Sequence, residues 1–106
     1  MKTLSIGHDS ENMACNYLQE HGLKLVEKNY RCRSGKIDLI MQDKDQLVFV
    51  EVRYRKCENF GTAIETVDQK KIKKLISTAQ HYLARNKLDV PARFDVVGFD
   101  ASLKPN

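Results

Sequence analysis

Apolar residues recur along this chain in two rhythms, and the switches between them divide it into six elements. Ile6, Met13, Ala14, Tyr17 and Leu18 fall at helical spacing and Gly22 supplies a stop, which predicts a first helix over 5–21. Segments 23–33, 36–42 and 46–54 then read as three strands, divided by Ser34-Gly35 and by the polar Asp43-Lys44-Asp45-Gln46 turn. An irregular stretch over 55–66 contains Phe60-Gly61. A long amphipathic helix follows over 67–87, with Ile72, Leu75, Ile76, Ala79 and Leu83 as its apolar stripe. Pro91 interrupts the chain, and Arg93-Phe94-Asp95-Val96-Val97-Gly98-Phe99 makes the last strand. The order α-β-β-β-α-β predicts an α/β domain whose helices cover a sheet.

Two acidic residues break the strand pattern. Asp38 interrupts Lys36-Ile37-Asp38-Leu39-Ile40, and Glu51 interrupts Val48-Phe49-Val50-Glu51-Val52-Arg53. Burying an unpaired carboxylate costs several kcal/mol, roughly a small domain's whole stability margin, so such residues persist where a cation, a proton or a hydrogen-bond network compensates them. Side chains alternate along a strand, which places Phe49, Glu51 and Arg53 on one face. Val48, Val50, Val52 and Tyr54 form the other, expected to be the core side. Across a hairpin turn Asp38 lies opposite Glu51 or one pair away, a register the sequence leaves open. Two nearby carboxylates and the Val52 carbonyl would form an all-oxygen site suited to Mg²⁺ or Mn²⁺, whereas zinc would call for His or Cys. Such a site suits phosphodiester hydrolysis, with Arg53 placed to orient a water or the scissile phosphate. The structural alternative is ion pairing of Asp38 and Glu51 with Lys36, Arg53 or Arg55 at the edge of a half-exposed sheet. In the first helix, Glu11 lines up with Gly7, Ala14 and Leu18 at the border of the apolar stripe.

Charge and composition narrow the partners. The chain has 106 residues, with 18 Lys+Arg against 14 Asp+Glu and a net charge of +4, which favours polyanions. Lys70, Lys71, Lys73 and Lys74 crowd the start of the second long helix, where the macrodipole is already positive, a placement better suited to phosphate contacts than to helix stability. Arg31, Arg33, Arg55 and Lys56 flank the strand ends near the proposed site and, with Lys70, Lys71 and Lys74, are the candidate nucleic-acid contacts. The length fits a single domain over 1–101 with a flexible tail over 102–106. Cys15, Cys32 and Cys57 show no metal-binding spacing and read as free thiols of a reducing compartment. With no apolar leader and no membrane-spanning run, a soluble cytoplasmic protein is expected.

Beyond these readings, the chain resembles a known family. The element order, a helix Glu, a strand Asp and then Glu-x-basic are similar to the PD-(D/E)xK nuclease superfamily, which includes restriction enzymes and Holliday-junction resolvases. More narrowly the chain resembles the small bacterial YraN family of endonucleases. The resemblance runs through Gly7-x3-Glu11-x2-Ala14-x2-Tyr17-Leu18, Asn29-Tyr30-Arg31, Gly35-x-Ile37-Asp38-Leu39-Ile40, Val48-Phe49-Val50-Glu51-Val52-Arg53-x-Arg55, Phe60-Gly61 and Arg93-Phe94-Asp95-Val96-Val97. It implies a restriction-endonuclease-like fold with a mixed sheet, and Mg²⁺- or Mn²⁺-dependent cleavage of DNA, including branched, Holliday-junction-like DNA. By the same resemblance Asp38 and Glu51, with the Val52 carbonyl, fall on the metal ligands. Glu11 falls on the helix acid and Arg53 on the position usually held by a catalytic Lys. Two departures stand out: Arg53 is a poor proton acceptor, and Lys36 occupies a position where the family more often has Glu. Lys71 matches a family Lys and, on the helix line of Leu75, Thr78 and Tyr82, is a second candidate for the catalytic cation. Relatives among the resolvases make a homodimer compatible with this reading. The alternatives are a non-catalytic nucleic-acid-binding module of the same fold, and an adaptor using the sheet edge or the Phe60 loop for a protein partner.

Overall fold

Three alternating segments joined by tight polar turns close most simply as an antiparallel meander, and a strand reached through a helix pairs in parallel. The computed structural model, which describes residues 6–54 and 69–99, has this arrangement. Its elements are α1 (Ile6–Glu20), β1 (Lys24–Cys32), β2 (Gly35–Asp43), β3 (Gln46–Tyr54), α2 (Gln69–Arg85) and β4 (Ala92–Phe99). The sheet order is β1-β2-β3-β4, with β1–β2 and β2–β3 antiparallel and β3–β4 parallel. The predicted α/β class and mixed sheet with flanking helices are therefore present. Phe60-Gly61, Arg55, Lys56 and Cys57 lie outside the described residues, as does the 102–106 tail.

Both faces of the central strands β2 and β3 are buried, so the expectation of a single core side is corrected. Leu39, Met41, Val48, Val50 and Val97 pack with Ala14, Cys15 and Leu18 of α1. Ile40, Leu47 and Phe49 pack with Leu75, Ala79 and Tyr82 of α2. Phe49 is only 1% exposed because α2 returns across its face. This is why β2 reads as an almost unbroken apolar run: Ile37 to Met41 are all buried, as expected of a strand covered on both sides. It also means that Asp38 and Glu51 do not sit on a half-exposed sheet.

The buried line of α2 is rotated from the predicted stripe. Leu75, Thr78, Ala79 and Tyr82 are buried, while Ile72 and Ile76 are 37% and 42% exposed. Thr78 tolerates burial because its hydroxyl donates to the Lys74 carbonyl at 2.8 Å. Tyr82 sets its ring edge-on to Tyr30, with centroids 5.1 Å apart. Continued toward the N-terminus, this buried line leads from Leu75 to Lys71.

Two ends position α1 and α2. After α1, Leu23 N–H donates to the Leu18 carbonyl and Gly22 N–H to that of Gln19, with Gly22 at φ 93°, a Schellman ending closed by the buried Leu18 and Leu23. The β1–β2 hairpin turns through Arg33-Ser34, and at Gly35 (φ 151°) it comes so close to α2 that a Cβ would lie 3.3 Å from Thr78 Oγ1. Glycine is needed there on both counts.

Candidate active site

The β2–β3 ladder runs from Asp43↔Gln46 only as far as Leu39↔Val50. Continuing that register sets Asp38 opposite Glu51, but here a side chain replaces the backbone partner: Val52 N–H donates to Asp38 Oδ2 at 2.7 Å. β3 itself continues to Tyr54 in parallel pairing with β4. At the end of the β2–β3 ladder lies a cleft of about 240 Å³, lined by Ser10 and Glu11 of α1, Lys36 and Asp38 of β2, Glu51, Val52 and Arg53 of β3, and Lys71 of α2.

Charge inside the cleft is unevenly compensated. Asp38 and Glu51 are 5% and 4% exposed. Glu51 Oε2 accepts from Arg53 Nη1 at 3.3 Å and lies 3.3 Å from Lys71 Nζ. Its second oxygen, Oε1, is buried and accepts no hydrogen bond among the described residues. Burial pushes the Glu51 carboxyl above the ordinary range, the Asp38 charge pushes it further, and the opposing pull of Lys71 does not restore it.

On the other side of Asp38, Lys36 Nζ lies 2.9 Å from Asp38 Oδ1 and 3.7 Å from Glu11 Oε2. Partial burial pulls this ammonium down, but Asp38 and Glu11 outweigh that and hold it above the ordinary lysine range. Glu11 Oε1 accepts from Asn29 Nδ2 at 3.2 Å, and Asn29 reaches it from a left-handed backbone position (φ 54°) that Asn tolerates well.

The site therefore gathers Glu11, Asp38, Glu51, Val52, Arg53 and Lys71, all of them sequence candidates, around one cleft. Among the described residues no three acidic, His or Cys side chains form a metal-holding group by themselves. A divalent ion fits as one resting on two carboxylates, with its other positions filled by backbone, water or phosphate oxygens, a coordination habit of Mg²⁺. The buried Glu51 Oε1 is the donor atom that such an ion would satisfy. Among the described residues, the remaining basic candidates do not line the cleft. Arg31 pairs across from Lys36 in the ladder, Arg33 sits in the hairpin turn, and Lys70 and Lys74 are exposed on the first turns of α2.

Ser10 and Lys36 also line the cleft without having been sequence candidates for the site. Ser10 is buried one position before Glu11 and carries no sequence signal of its own. Lys36 did carry one, as the only cation within two residues of Asp38. Outside the cleft, Arg93 Nη1 donates to Asp43 Oδ2 at 3.0 Å and to Gln46 Oε1 at 3.1 Å, while its Nε donates to Asp95 Oδ2 at 3.2 Å. Asp95 is thus paired with Arg93, away from the site. Among the described residues no helix is long and apolar enough to cross a membrane.

Comparison with known proteins follows the same boundaries. The model of the uncharacterised protein family UPF0102 matches residues 10–99. A UPF0102 protein of Nitrosococcus oceani is 52% identical over 94 residues, covering 87% of this chain and 76% of its own. One from Nitrosomonas europaea is 52% identical over 91 residues, covering 86% and 77%, and one from Coxiella burnetii is 46% identical over 101 residues, covering 93% and 84%. With a family match from the residue before Glu11 to the end of β4, the chain belongs to the UPF0102 family, the YraN family that its sequence resembles.

Proposed function

We propose that this protein is a metal-dependent endonuclease acting on DNA, with branched DNA as the favoured substrate. The observation that carries the reading is Glu51: a carboxylate almost fully buried, opposite Asp38 in an open cleft, with one oxygen that nothing among the described residues satisfies. Isolated buried acids of this kind lower stability, and their presence together in a cleft is characteristic of a working site. Asp38 and Glu51 would hold Mg²⁺ or Mn²⁺, which when bound supplies Lewis acidity toward a phosphoryl oxygen and a water of lowered pKa. Arg53, permanently charged, binds and orients a non-bridging phosphate oxygen. Lys71, reaching the same Glu51 oxygen from α2, provides a second cation for charge that develops on the phosphate. Asp38 also fixes the backbone of Val52 and so the direction from which Glu51 and Arg53 enter the cleft.

A second reading, DNA binding without cleavage, is favoured by the pairing of the three acids with Lys36, Arg53 and Lys71, which already offsets much of their charge. Nicking of a labelled four-way junction, a flap and a plain duplex, with Mg²⁺, Mn²⁺ or chelator, separates the two. The nuclease reading expects metal-dependent cleavage that Glu51→Gln abolishes while DNA binding persists. Salt-sensitive binding to all three substrates with no cleavage of any would instead establish the binding module.

A further inference from the structure

The cleft has two halves, and among the described residues the buried acidic oxygen that accepts no hydrogen bond lies in one of them. In the half between α1 and β2, an ammonium already stands between two carboxylates: Lys36 Nζ is 2.9 Å from Asp38 Oδ1 and 3.7 Å from Glu11 Oε2. In the half between β2, β3 and α2, the buried Glu51 Oε1 accepts no hydrogen bond among the described residues. An ion bridging Glu11 and Asp38 would have to take the position of the lysine amine, and any ion close to it would be repelled. The Lys36 side chain is 34% exposed and enters from the rim, so it is not a core residue whose charge merely needs neutralising.

We infer that Lys36 is a tethered cation that takes the place of a second divalent ion, so that the cleft binds one divalent cation, on the Glu51 side of Asp38. The inference rests on the metal-dependent reading above and specifies its stoichiometry. Lys36 is a positioning residue here. It neutralises Glu11 and one oxygen of Asp38, and leaves Oε1 of Glu51, whose other oxygen meets Arg53 and Lys71, as the acidic atom that the ion would take. A single positive charge in that half also repels the incoming metal less than a resident second metal would, while keeping Asp38 fixed against Val52.

The test is a Mn²⁺ binding isotherm followed by electron paramagnetic resonance on the full chain, with no nucleic acid present. The unmodified protein should bind one Mn²⁺ and Glu51→Gln none. Lys36→Gln should still bind one, more tightly by on the order of ten-fold, since one repelling charge within a few ångströms is gone. Lys36→Glu, which adds a carboxylate beside Glu11 and Asp38, should bind two. Far-UV circular dichroism checks that each variant is folded, and Lys36→Gln decides the matter if Lys36→Glu does not fold. One ion in the unmodified protein with unchanged number and affinity in both lysine variants would overturn the role of Lys36 alone, as would two ions in the unmodified protein. No Mn²⁺ binding by any of them would remove the metal-dependent reading and this inference with it.

Discussion

Glu51 sets stability against its proposed role as a metal ligand within one side chain. Its carboxyl titrates above the ordinary glutamate range because it is buried and faces Asp38. In the pH window between the ordinary value and the raised one, the folded state holds a proton that the unfolded chain has released, so stability falls as pH rises through that window. Glu51→Gln removes the penalty. The variant is expected to melt at a higher temperature than the unmodified protein at pH 7 and to lose the fall in stability that Glu51 contributes as pH rises through that window, read from thermal melts across that range. Mg²⁺ should raise the melting temperature of the unmodified protein and leave Glu51→Gln unaffected. For Arg53 the expectation concerns rate. Arg53→Ala should depress cleavage on the order of a hundred-fold or more, as removal of one preorganised charge does, whereas Arg53→Lys should retain it in single-turnover nicking assays. Glu11, Asp38 and Glu51 were legible in the sequence because each interrupts or borders an apolar pattern. Lys36 was less so: a lysine at the start of a strand usually points to solvent, and only the approach of α1 turns it inward between two acids.

At the scale of elements, four of the five boundaries were readable because each carries a residue with a physical reason to end something: Gly22 after α1, Ser34-Gly35 and Asp43 to Gln46 at the hairpins, Pro91 before β4. The faces were harder. Thr78 and Tyr82 look polar in sequence, yet one satisfies its hydroxyl within α2 and the other packs on Phe49 and Tyr30, so they displaced Ile72 and Ile76 from the buried line. The register that sets Asp38 opposite Glu51 was likewise invisible, since either pairing suits an apolar strand. The end of α2 offers a test of its own. Leu88 N–H donates to the Leu83 carbonyl and Lys87 N–H to that of Ala84, repeating the α1 ending, but the left-handed position is held by Lys87 at φ 53° in place of a glycine. Lys87→Gly should stabilise the protein by about 1 kcal/mol, measured by urea denaturation, because the side chain disfavours that backbone conformation.

Taken as a whole, the molecule carries basic residues on the β1–β2 hairpin and on α2, elements that also supply Lys36 and Lys71 to its acidic cleft. Arg31 and Arg33 stand at the β1–β2 hairpin, and Gly35 brings that hairpin against the stretch of α2 that carries Lys70, Lys71 and Lys74. Removing the three lysines together should weaken DNA binding across all sequences. For every phosphate no longer neutralised, the slope of log affinity against log salt should also become shallower by about 0.9, measured by fluorescence anisotropy at several salt concentrations. An unchanged slope would return these lysines to the role of a solvated face. At the end of β3 remote from the cleft, the architecture has a different need. Neighbouring β1, β2 and β3 are aligned by short turns, but β4 arrives from a distant part of the chain and no hairpin tells it where to stop. Arg93 does so: it grips Asp43 and Gln46, the two residues that close the β2–β3 turn, while Leu47 N–H takes the Pro91 carbonyl at 2.9 Å. A slip of β4 by one residue would break that grip and turn Val97 out of the core in the same step, so the last strand carries its own check on alignment, placed where the earlier hairpin has already formed.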